Sequence, residues 1–306
     1  MPSLSELLTL PSRMAALQRE LAAMREALPQ AIAAGIAAAL AAQPRAIPLD
    51  GAVALAMLEG RLPIHVDPRA GDIAPHLMLT GQWEPVETRL WRRLLRPGLL
   101  TLDVGAHLGV YALLAAEALG ETAIVHAFEP NPALATLLAR SVALNGFGGR
   151  ITLHGVAAGA GDGVASLMVR PGLEGGGFLD AALPGPPRPD GFVPVPVRVV
   201  AIDPLLPAGE LGAAKLDIEG MEGQALRGMA GLLGRSPGAR LLLEWAPAML
   251  AGQGMPGPAL VAFLEGFGLR FWSIAADGAL VPLPGPALAG LTEGLRNIVA
   301  TRELPA

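Results

Sequence analysis

A glycine-containing turn after an apolar strand pattern carries the strongest chemical signal in the sequence. Residues 102–109 read LDVGAHLG, and an apolar helix pattern follows them. Gly105 would let the chain turn with a positive φ, and Gly109 would let a ligand approach the backbone. The free N–H groups at the start of the helix would attract an anionic group. This segment predicts a ligand site at the end of a strand.

The residues around these glycines indicate which ligand the turn would bind. Val104 stands where a dinucleotide site has a pyrophosphate-binding glycine, and Asp103 suits an ammonium group and repels a diphosphate. Glu129 comes 129 − 103 = 26 residues later, at the end of the next predicted strand, where an acid reaches a ribose diol. S-adenosylmethionine has an ammonium group, a carboxylate and a ribose. The pattern therefore predicts an S-adenosylmethionine site, with a dinucleotide site or a purely structural turn as alternatives.

A second acidic motif, KLDIEG at residues 215–220, follows a later predicted strand. Asp217 and Glu219 would face the same side of an extended chain, and Glu244 ends the next strand on the same rim. These acids could hold the amino group of the ligand, bind a substrate hydroxyl, or ligate Mg²⁺ or Ca²⁺. They could also merely cap the following helix. We assign no metal site.

Methyl transfer to a neutral hydroxyl requires alignment and removal of a proton. Of the five histidines, His107 lies in the glycine turn, His154 lies on an adjacent strand, and His126 has the pattern of a core residue. The candidate catalytic residues are therefore His107, Asp217 and Glu219. A site without a dedicated side-chain base is the alternative.

Alternating strand and helix patterns from residue 99 onward predict an α/β fold with a doubly wound, mainly parallel sheet. The predicted strands span residues 99–104, 123–128, 151–156, 213–216, 240–243, 269–274 and 297–301. The predicted helices span residues 109–119, 132–144, 223–233 and 258–267. Upstream, the sequence predicts a short strand at 62–66 and a helix at 85–95.

Two further segments have distinct compositions. Residues 1–45 carry leucines and methionines at heptad spacing, which predicts a helical extension, a possible coiled coil for homo-oligomerisation; packing on its own domain or a membrane surface is the alternative. Residues 46–306 would form the ligand-binding domain. Within it, residues 171–196 are dense in Gly and Pro and predict a long loop at a hairpin tip. This loop could recognise the acceptor through Phe178, Arg188 and Phe192, or be a disordered insertion.

Composition restricts the class of protein. The 306 residues are 52% hydrophobic and 16% charged, with a mean hydropathy of +0.47, which allows a large core. No apolar run approaches the roughly 20 residues of a membrane-spanning helix. The net charge of −5 and the lack of a basic, aromatic-rich stripe argue against a nucleic-acid partner. Cysteine is absent, which excludes disulfides and thiolate chemistry, so we expect a cytoplasmic protein.

Taken together, the motifs resemble the FkbM-type methyltransferases over roughly residues 63–301. The resemblance rests on Glu244 and on the segments 81–85 (GQWEP), 103–109 (DVGAHLG), 128–131 (FEPN), 197–203 (VRVVAID), 215–220 (KLDIEG) and 296–300 (RNIVA). It implies a class I, Rossmann-like fold of seven strands with the last strand antiparallel. It also implies O-methylation of a hydroxyl on a sugar, glycan or polyketide-like small molecule.

The resemblance also implies roles for individual residues. Asp103, Gly105 and Gly109 would shape the methionine end of the cofactor site, Glu129 would hold the ribose, and Asp217 would lie near the methionine or the acceptor. Their neighbours Ala106, His107 and Pro130 complete the predicted cofactor-binding set. His107 departs from the family, in which Asn is commoner at that position. An NAD-dependent oxidoreductase and a non-catalytic nucleotide-binding scaffold are the rival interpretations.

Overall fold

A computed structural model describes residues 46–50, 52–180 and 189–303. The predicted helical extension over residues 1–45 and the candidate Arg188 lie outside these residues. Within the described ranges, no helix combines the length and the apolar character needed to cross a bilayer.

The described residues form fifteen strands and nine α-helices. The strands are β1 (Ala46–Asp50), β2 (Val53–Leu58), β3 (Leu62–Val66), β4 (Leu100–Val104), β5 (Ile124–Phe128), β6 (Ile151–His154), β7 (Ala157–Ala158), β8 (Gly163–Arg170), β9 (Leu173–Asp180), β10 (Val193–Val200), β11 (Leu211–Leu216), β12 (Arg240–Trp245), β13 (Arg270–Ile274), β14 (Leu280–Leu283) and β15 (Arg296–Thr301). The helices are α1 (Ile73–Thr80), α2 (Pro85–Leu94), α3 (Val110–Leu119), α4 (Pro132–Leu144), α5 (Glu222–Gly228), α6 (Ala230–Arg235), α7 (Pro247–Gly252), α8 (Gly257–Gly266) and α9 (Gly285–Ala289).

The central sheet has the predicted α/β character. Its strand order is β14-β13-β15-β12-β11-β4-β5-β6. Strands β12, β11, β4, β5 and β6 are parallel, and β15 runs antiparallel to both β12 and β13. All seven predicted strands are present, but the sheet has eight, because β14 pairs with the edge strand β13. No sequence pattern predicts β14, because it is a short, largely exposed edge strand that contains Pro282.

The sheet is doubly wound, because two hydrophobic cores lie on its opposite faces. One core contains apolar residues of α2, α3 and α4 together with those of β2 and β3 from the meander β1-β2-β3. The other contains apolar residues of α5 to α9. The predicted single helix over residues 223–233 is two helices, α5 and α6, separated at Met229. The strand order reverses between β4 and β11, where open α/β sheets form a crevice for ligands.

A second sheet, ordered β7-β10-β8-β9, includes part of the loop predicted for residues 171–196, namely residues 173–180 and 193–196. The predicted antiparallel pairing of its flanking segments is present, with Val193 opposite Val169. The long-loop prediction is wrong for residues 173–180, which form β9 against the other edge of β8. Three consecutive glycines, residues 175–177, disfavour a strand locally. Pairing with β8 and a hydrogen bond from Gly175 N to Asp72 Oδ2 (2.6 Å) supply contacts that no local pattern shows.

Candidate functional site

A cavity of about 500 Å³ lies at the carboxyl ends of β4, β5 and β11. This volume is in the range of small-molecule sites. Seven of the predicted site residues line the cavity: Gly105, Ala106, His107, Glu129, Pro130, Asp217 and Glu219. Two others, Asp103 and Gly109, are not among its lining residues.

Both glycines of the turn have positive φ, as predicted, but their neighbours differ from those expected. Gly105 has φ 84°, and a Cβ there would lie 1.9 Å from the carbonyl oxygen of Asp217. Gly109 has φ 89°, and a Cβ there would lie 2.1 Å from Leu138 Cδ1 on α4. The space beside Gly109 is thus occupied by a core side chain, which corrects the expectation that a ligand approaches the backbone there.

Asp103 supports the start of α3 from behind the cavity. Its side chain is buried, and Oδ2 accepts a hydrogen bond from Ala112 N (2.8 Å). Burial raises the pKa of Asp103 to about 7, although the charge of Lys215 opposes this rise. The side chain therefore holds the helix against the strand. The sequence-based expectation that Asp103 faces a ligand ammonium group is wrong, because Asp103 does not line the cavity.

Glu129 connects the turn after β4 to the turn after β5. Its Oε2 accepts from His107 N and its Oε1 accepts from Asn131 N, both at 2.7 Å. Burial raises the pKa of Glu129 to about 7, and the two N–H donors oppose this rise. Each carboxylate oxygen has two lone pairs. Glu129 can therefore fix both turns and still accept hydrogen bonds from hydroxyl groups in the cavity.

A buried Lys215 lies at the centre of the acidic side of the cavity. Lys215 is 1% exposed, and its Nζ lies 2.6 Å from Asp217 Oδ2 and 5.1 Å from the centre of the Tyr111 ring. The hydroxyl of Tyr111 hydrogen-bonds to Glu84. Burial favours a lower pKa for Lys215, but the charges of Asp217 and Glu84 outweigh it and raise that pKa. Lys215 in turn overcomes burial and lowers the pKa of Asp217.

The imidazole of His107 is partly buried, with its side chain 15% exposed, and it lines the cavity. Its φ is 52°, an uncommon conformation for a residue other than glycine. Neither Nδ1 nor Nε2 has a hydrogen-bond partner among the residues that the structure describes. Burial lowers the pKa of His107, and the charges of Asp72 and Asp217 oppose that effect. A neutral imidazole with unused nitrogens can accept a proton or bind a hydroxyl group.

Of the remaining acids of the rim, Glu219 lies in a turn after β11 and Glu244 lies on β12. Glu219 has φ 54°, so the chain is not extended there, although Glu219 and Asp217 both line the cavity. Burial raises the pKa of Glu219 to about 7 and that of Glu244 to about 9, and the charge of Asp217 adds to both effects. In the described part of the chain, no three His, Asp or Glu side chains are grouped so that they could hold a metal ion.

A second wall of the cavity comes from the small sheet. Arg170 and Phe192 line it, with the guanidinium carbon 4.7 Å from the centre of the Phe192 ring. Arg170 also donates to the Asp190 carbonyl (2.7 Å), and its Nε is buried without a partner in the described ranges. Of the predicted acceptor residues, Phe192 lines the cavity, and Phe178 packs against it edge-on at 5.2 Å.

Sequence reasoning missed several lining residues, although some signals were present. Glu84 belongs to the GQWEP segment, and Lys215 is the only lysine in the chain. Asp72 directly precedes an apolar run, a pattern typical of a helix N-cap. Arg170 had no local signal, because it reaches the cavity only through the pairing of β8.

The charges of the cavity suit a cationic cofactor. Among the described lining residues, the acids outnumber the cationic residues Lys215 and Arg170; these acids are Asp72, Glu84, Glu129, Asp217, Glu219 and Glu244. Asp217, whose pKa is lowered, carries a negative charge that favours an ammonium or sulfonium group, whereas Glu129, Glu219 and Glu244 have raised pKa values and serve mainly as hydrogen-bond partners. Glu129 supplies an acceptor for a ribose, and the turn from Gly105 to His107 borders the same space. The residues present therefore fit S-adenosylmethionine.

Comparisons with known proteins support this assignment at the family level. A model of the methyltransferase FkbM domain matches residues 103–269. Comparison with curated proteins gives no match in sequence.

Among solved structures, the chain is similar to a methyltransferase FkbM from Methylobacillus flagellatus (18% identity, 56% of this chain, 42% of that chain, TM-score 0.33). It thus spans less than half the length of that protein. It is also similar to a SAM-dependent O-methyltransferase from Thermotoga maritima (12% identity, 82% of this chain, 78% of that chain, TM-score 0.41). A SAM-dependent methyltransferase from Aquifex aeolicus is similar at 14% identity, over 70% of this chain and 88% of that chain, with a TM-score of 0.37.

The cofactor is S-adenosylmethionine. The family match covers more than half of the sequence and includes the glycine turn, Glu129, Lys215 and Asp217. The chain therefore belongs to the FkbM family of methyltransferases.

Proposed function

We propose that the protein methylates a hydroxyl group of a small-molecule acceptor, such as a sugar, a glycan or a polyketide-like compound. The observation that carries this proposal is His107. Its imidazole lines the same cavity as Glu129 and Asp217, burial lowers its pKa, and neither ring nitrogen has a hydrogen-bond partner among the described residues. A neutral hydroxyl has to lose a proton during methylation, and this imidazole can take it.

In this proposal, the cofactor lies along the turns after β4 and β5. Glu129 accepts hydrogen bonds from the ribose, Gly105 and Ala106 border the methionine end, and Asp217 attracts the ammonium group. Bound there, S-adenosylmethionine supplies an electrophilic methyl group. The protein aligns the acceptor oxygen with that methyl group and excludes water from the cavity.

The acceptor would lie against the wall formed by the small sheet and the start of α2. This wall offers Trp83, Glu84, Arg170 and Phe192, and Glu219 lines the same cavity from the turn after β11. Aromatic faces next to polar groups suit a ring that carries hydroxyl groups. Glu219, whose pKa is about 7 through burial, is the second candidate for the base.

The cofactor proposal is tested by calorimetric titration with S-adenosylhomocysteine and, separately, with NAD⁺. The wild-type protein is expected to bind S-adenosylhomocysteine and not NAD⁺, and Glu129→Ala is expected to lose that binding. Glu121→Ala is the matched control, because the side chain of Glu121 is 90% exposed and does not line the cavity. Binding of NAD⁺ in preference to S-adenosylhomocysteine would support an oxidoreductase instead.

The acceptor proposal is tested by measuring S-adenosylhomocysteine formation with a panel of hydroxylated sugars and polyketide-like alcohols, beside amine analogues of the same compounds. Turnover of alcohols and not of amines is the expected result. Preferential turnover of amines would replace O-methylation with N-methylation. Tight cofactor binding without turnover on any acceptor, including the natural one, would favour a non-catalytic scaffold.

A further inference from the structure

Asp72 joins three parts of the structure at the edge of the cavity. It precedes α1, and its Oδ1 accepts from Ile73 N at 2.7 Å. Its Oδ2 accepts from Gly175 N of β9 at 2.6 Å. The same Oδ2 lies 3.8 Å from His107 Nε2. Asp72 thus connects α1 and β9 to the glycine turn, and it lies outside residues 103–269, which the family model matches.

Both imidazole nitrogens of His107 are closed to solvent and lack a hydrogen-bond partner in the described part of the chain, and the carboxylate of Asp72 lies near one of them. Nε2 points towards Asp72, at the distance of an ion pair, and no described residue accepts from or donates to either nitrogen. Asp72 Oδ2 has a second lone pair beside the one that Gly175 N occupies. Two hydrogen bonds hold this carboxylate, so its position does not depend on His107.

We propose that Asp72 is a positioning residue for His107, which orients the imidazole with N–H on Nε2 and stabilises the imidazolium that forms during methyl transfer. This inference rests on the proposed function, in which His107 is the base. The acceptor proton moves to Nδ1 of His107 while the acceptor oxygen forms its bond to the methyl carbon. The electrons of the broken carbon–sulfur bond remain on sulfur, so a positive charge leaves sulfur and one appears on the imidazole.

The other charged groups around His107 do not replace Asp72. Glu129, after β5, accepts from the backbone N–H of His107 and not from its ring. Asp217, after β11, is paired with Lys215. Glu84, Glu219, Glu244 and Arg170 are the remaining charged residues of the described cavity wall, and none is within ion-pair distance of the ring. Asp72 is therefore the carboxylate placed to compensate a charge on Nε2.

The test is a histidine NMR titration of the full chain, with and without S-adenosylhomocysteine. The chain has five histidines, and His107→Asn assigns the resonance of His107. In Asp72→Asn the pKa of His107 is expected to fall, because the imidazolium loses a neighbouring negative charge. Asp67→Asn is the matched control: it removes a nearby carboxylate that binds Arg69 and does not line the cavity, and should leave the His107 titration unchanged. An unchanged pKa in Asp72→Asn would overturn the proposal.

A second variant and a wild-type measurement guard against loss of folding. Asp72→Ser keeps an oxygen that can cap α1 but removes the charge, and it is expected to shift the His107 titration in the same direction. In the wild-type protein, the ¹⁵N shifts are expected to report the Nε2–H tautomer. A dominant Nδ1–H tautomer would contradict the proposed orientation even if both variants unfold.

Steady-state kinetics with the best acceptor of the panel distinguish a positioning role of Asp72 from a purely structural role. Asp72→Asn is expected to lower kcat by roughly 10- to 100-fold and to move the acidic limb of the pH–rate profile to lower pH. A loss of rate without movement of that limb indicates a structural role and overturns the inference. If the wild-type protein fails to bind S-adenosylhomocysteine, the proposed function fails, whereas the titration still decides whether Asp72 and His107 are paired.

Discussion

Replacement of Lys215 by methionine would remove the one buried cation at the acidic end of the β4–β11 crevice. Its ammonium group is 1% exposed and lies 2.6 Å from Asp217 Oδ2. Methionine has nearly the same length and no charge. We therefore expect the main effect to be electrostatic, because the carboxylate of Asp217 loses its partner while Glu84 and Glu244 remain close by.

The size of the effect follows from burial and distance. Two unit charges 2.6 Å apart attract by on the order of 6 kcal/mol at an effective dielectric constant of about 20, before desolvation is subtracted. Removal of one partner of a buried pair typically costs about 3–5 kcal/mol. Because the side chain of Asp217 is 33% exposed, water compensates part of the loss. We expect the free energy of unfolding to fall by about 3 kcal/mol at pH 8.

The cost should also depend on pH. Lys215 lowers the pKa of Asp217 against the opposing effect of burial, and its charge likewise opposes the burial-driven rise in the pKa of Asp103 and Glu84. Without Lys215, these carboxyl groups bind protons at higher pH, and a protonated carboxyl group is less costly to bury. The difference in stability between wild type and Lys215→Met should therefore shrink as the pH falls from 8 to 5.

Urea unfolding followed by circular dichroism measures this difference. Arg235→Met is the matched control, because Arg235 forms a half-exposed ion pair with Asp203 at 3.6 Å, and we expect a loss of at most about 1 kcal/mol. The double variant Lys215→Met/Asp217→Asn should recover part of the stability. A loss below about 1 kcal/mol for Lys215→Met, equal to that of the control, would refute the argument that the buried pair is strongly coupled.

Three further predictions concern the turn, the buried acids and the acceptor wall. Gly105→Ala should abolish S-adenosylhomocysteine binding in calorimetry, because its Cβ would lie 1.9 Å from the Asp217 carbonyl oxygen; near wild-type binding would contradict this. Burial raises the pKa of Glu222 from 4.5 to about 7, so this group should stabilise the fold below pH 4.5 and lose that contribution, about 3 kcal/mol, as the pH rises to 7. In thermal unfolding, Glu222→Gln should flatten the pH dependence of Tm across that window, and an unaltered slope would count against the raised pKa. Arg170→Gln should raise the KM of the acceptor with unchanged affinity for S-adenosylhomocysteine, and a loss of cofactor affinity would instead assign Arg170 to the cofactor.

The sequence by itself determined seven of the eight strands of the central sheet and the end of the sheet at which the cavity lies. In the sequence, buried strand patterns alternate with helix patterns, which predicts parallel strands joined by helices. The turns that follow such strands all lie at the same edge of the sheet. Gly105, Glu129 and Asp217 lie 24 and 88 residues apart in the chain (129 − 105 and 217 − 129), yet they line one cavity because each follows a parallel strand. Local patterns suffice to predict this edge because the alternation of strands and helices can be recognised in short segments of the sequence.

The tertiary structure alone decided which side chains face that cavity. Asp103 and Gly109 belong to the same motif as His107, but one caps α3 and the other packs against Leu138. Asp72 and Arg170 reach the site because β9 pairs with β8 and binds the segment before α1. Side-chain direction at the end of a strand and the docking of a glycine-rich hairpin depend on long-range contacts. The free energy of these long-range contacts outweighs local strand propensity. No pattern within a single segment could therefore have predicted which side chains face the cavity.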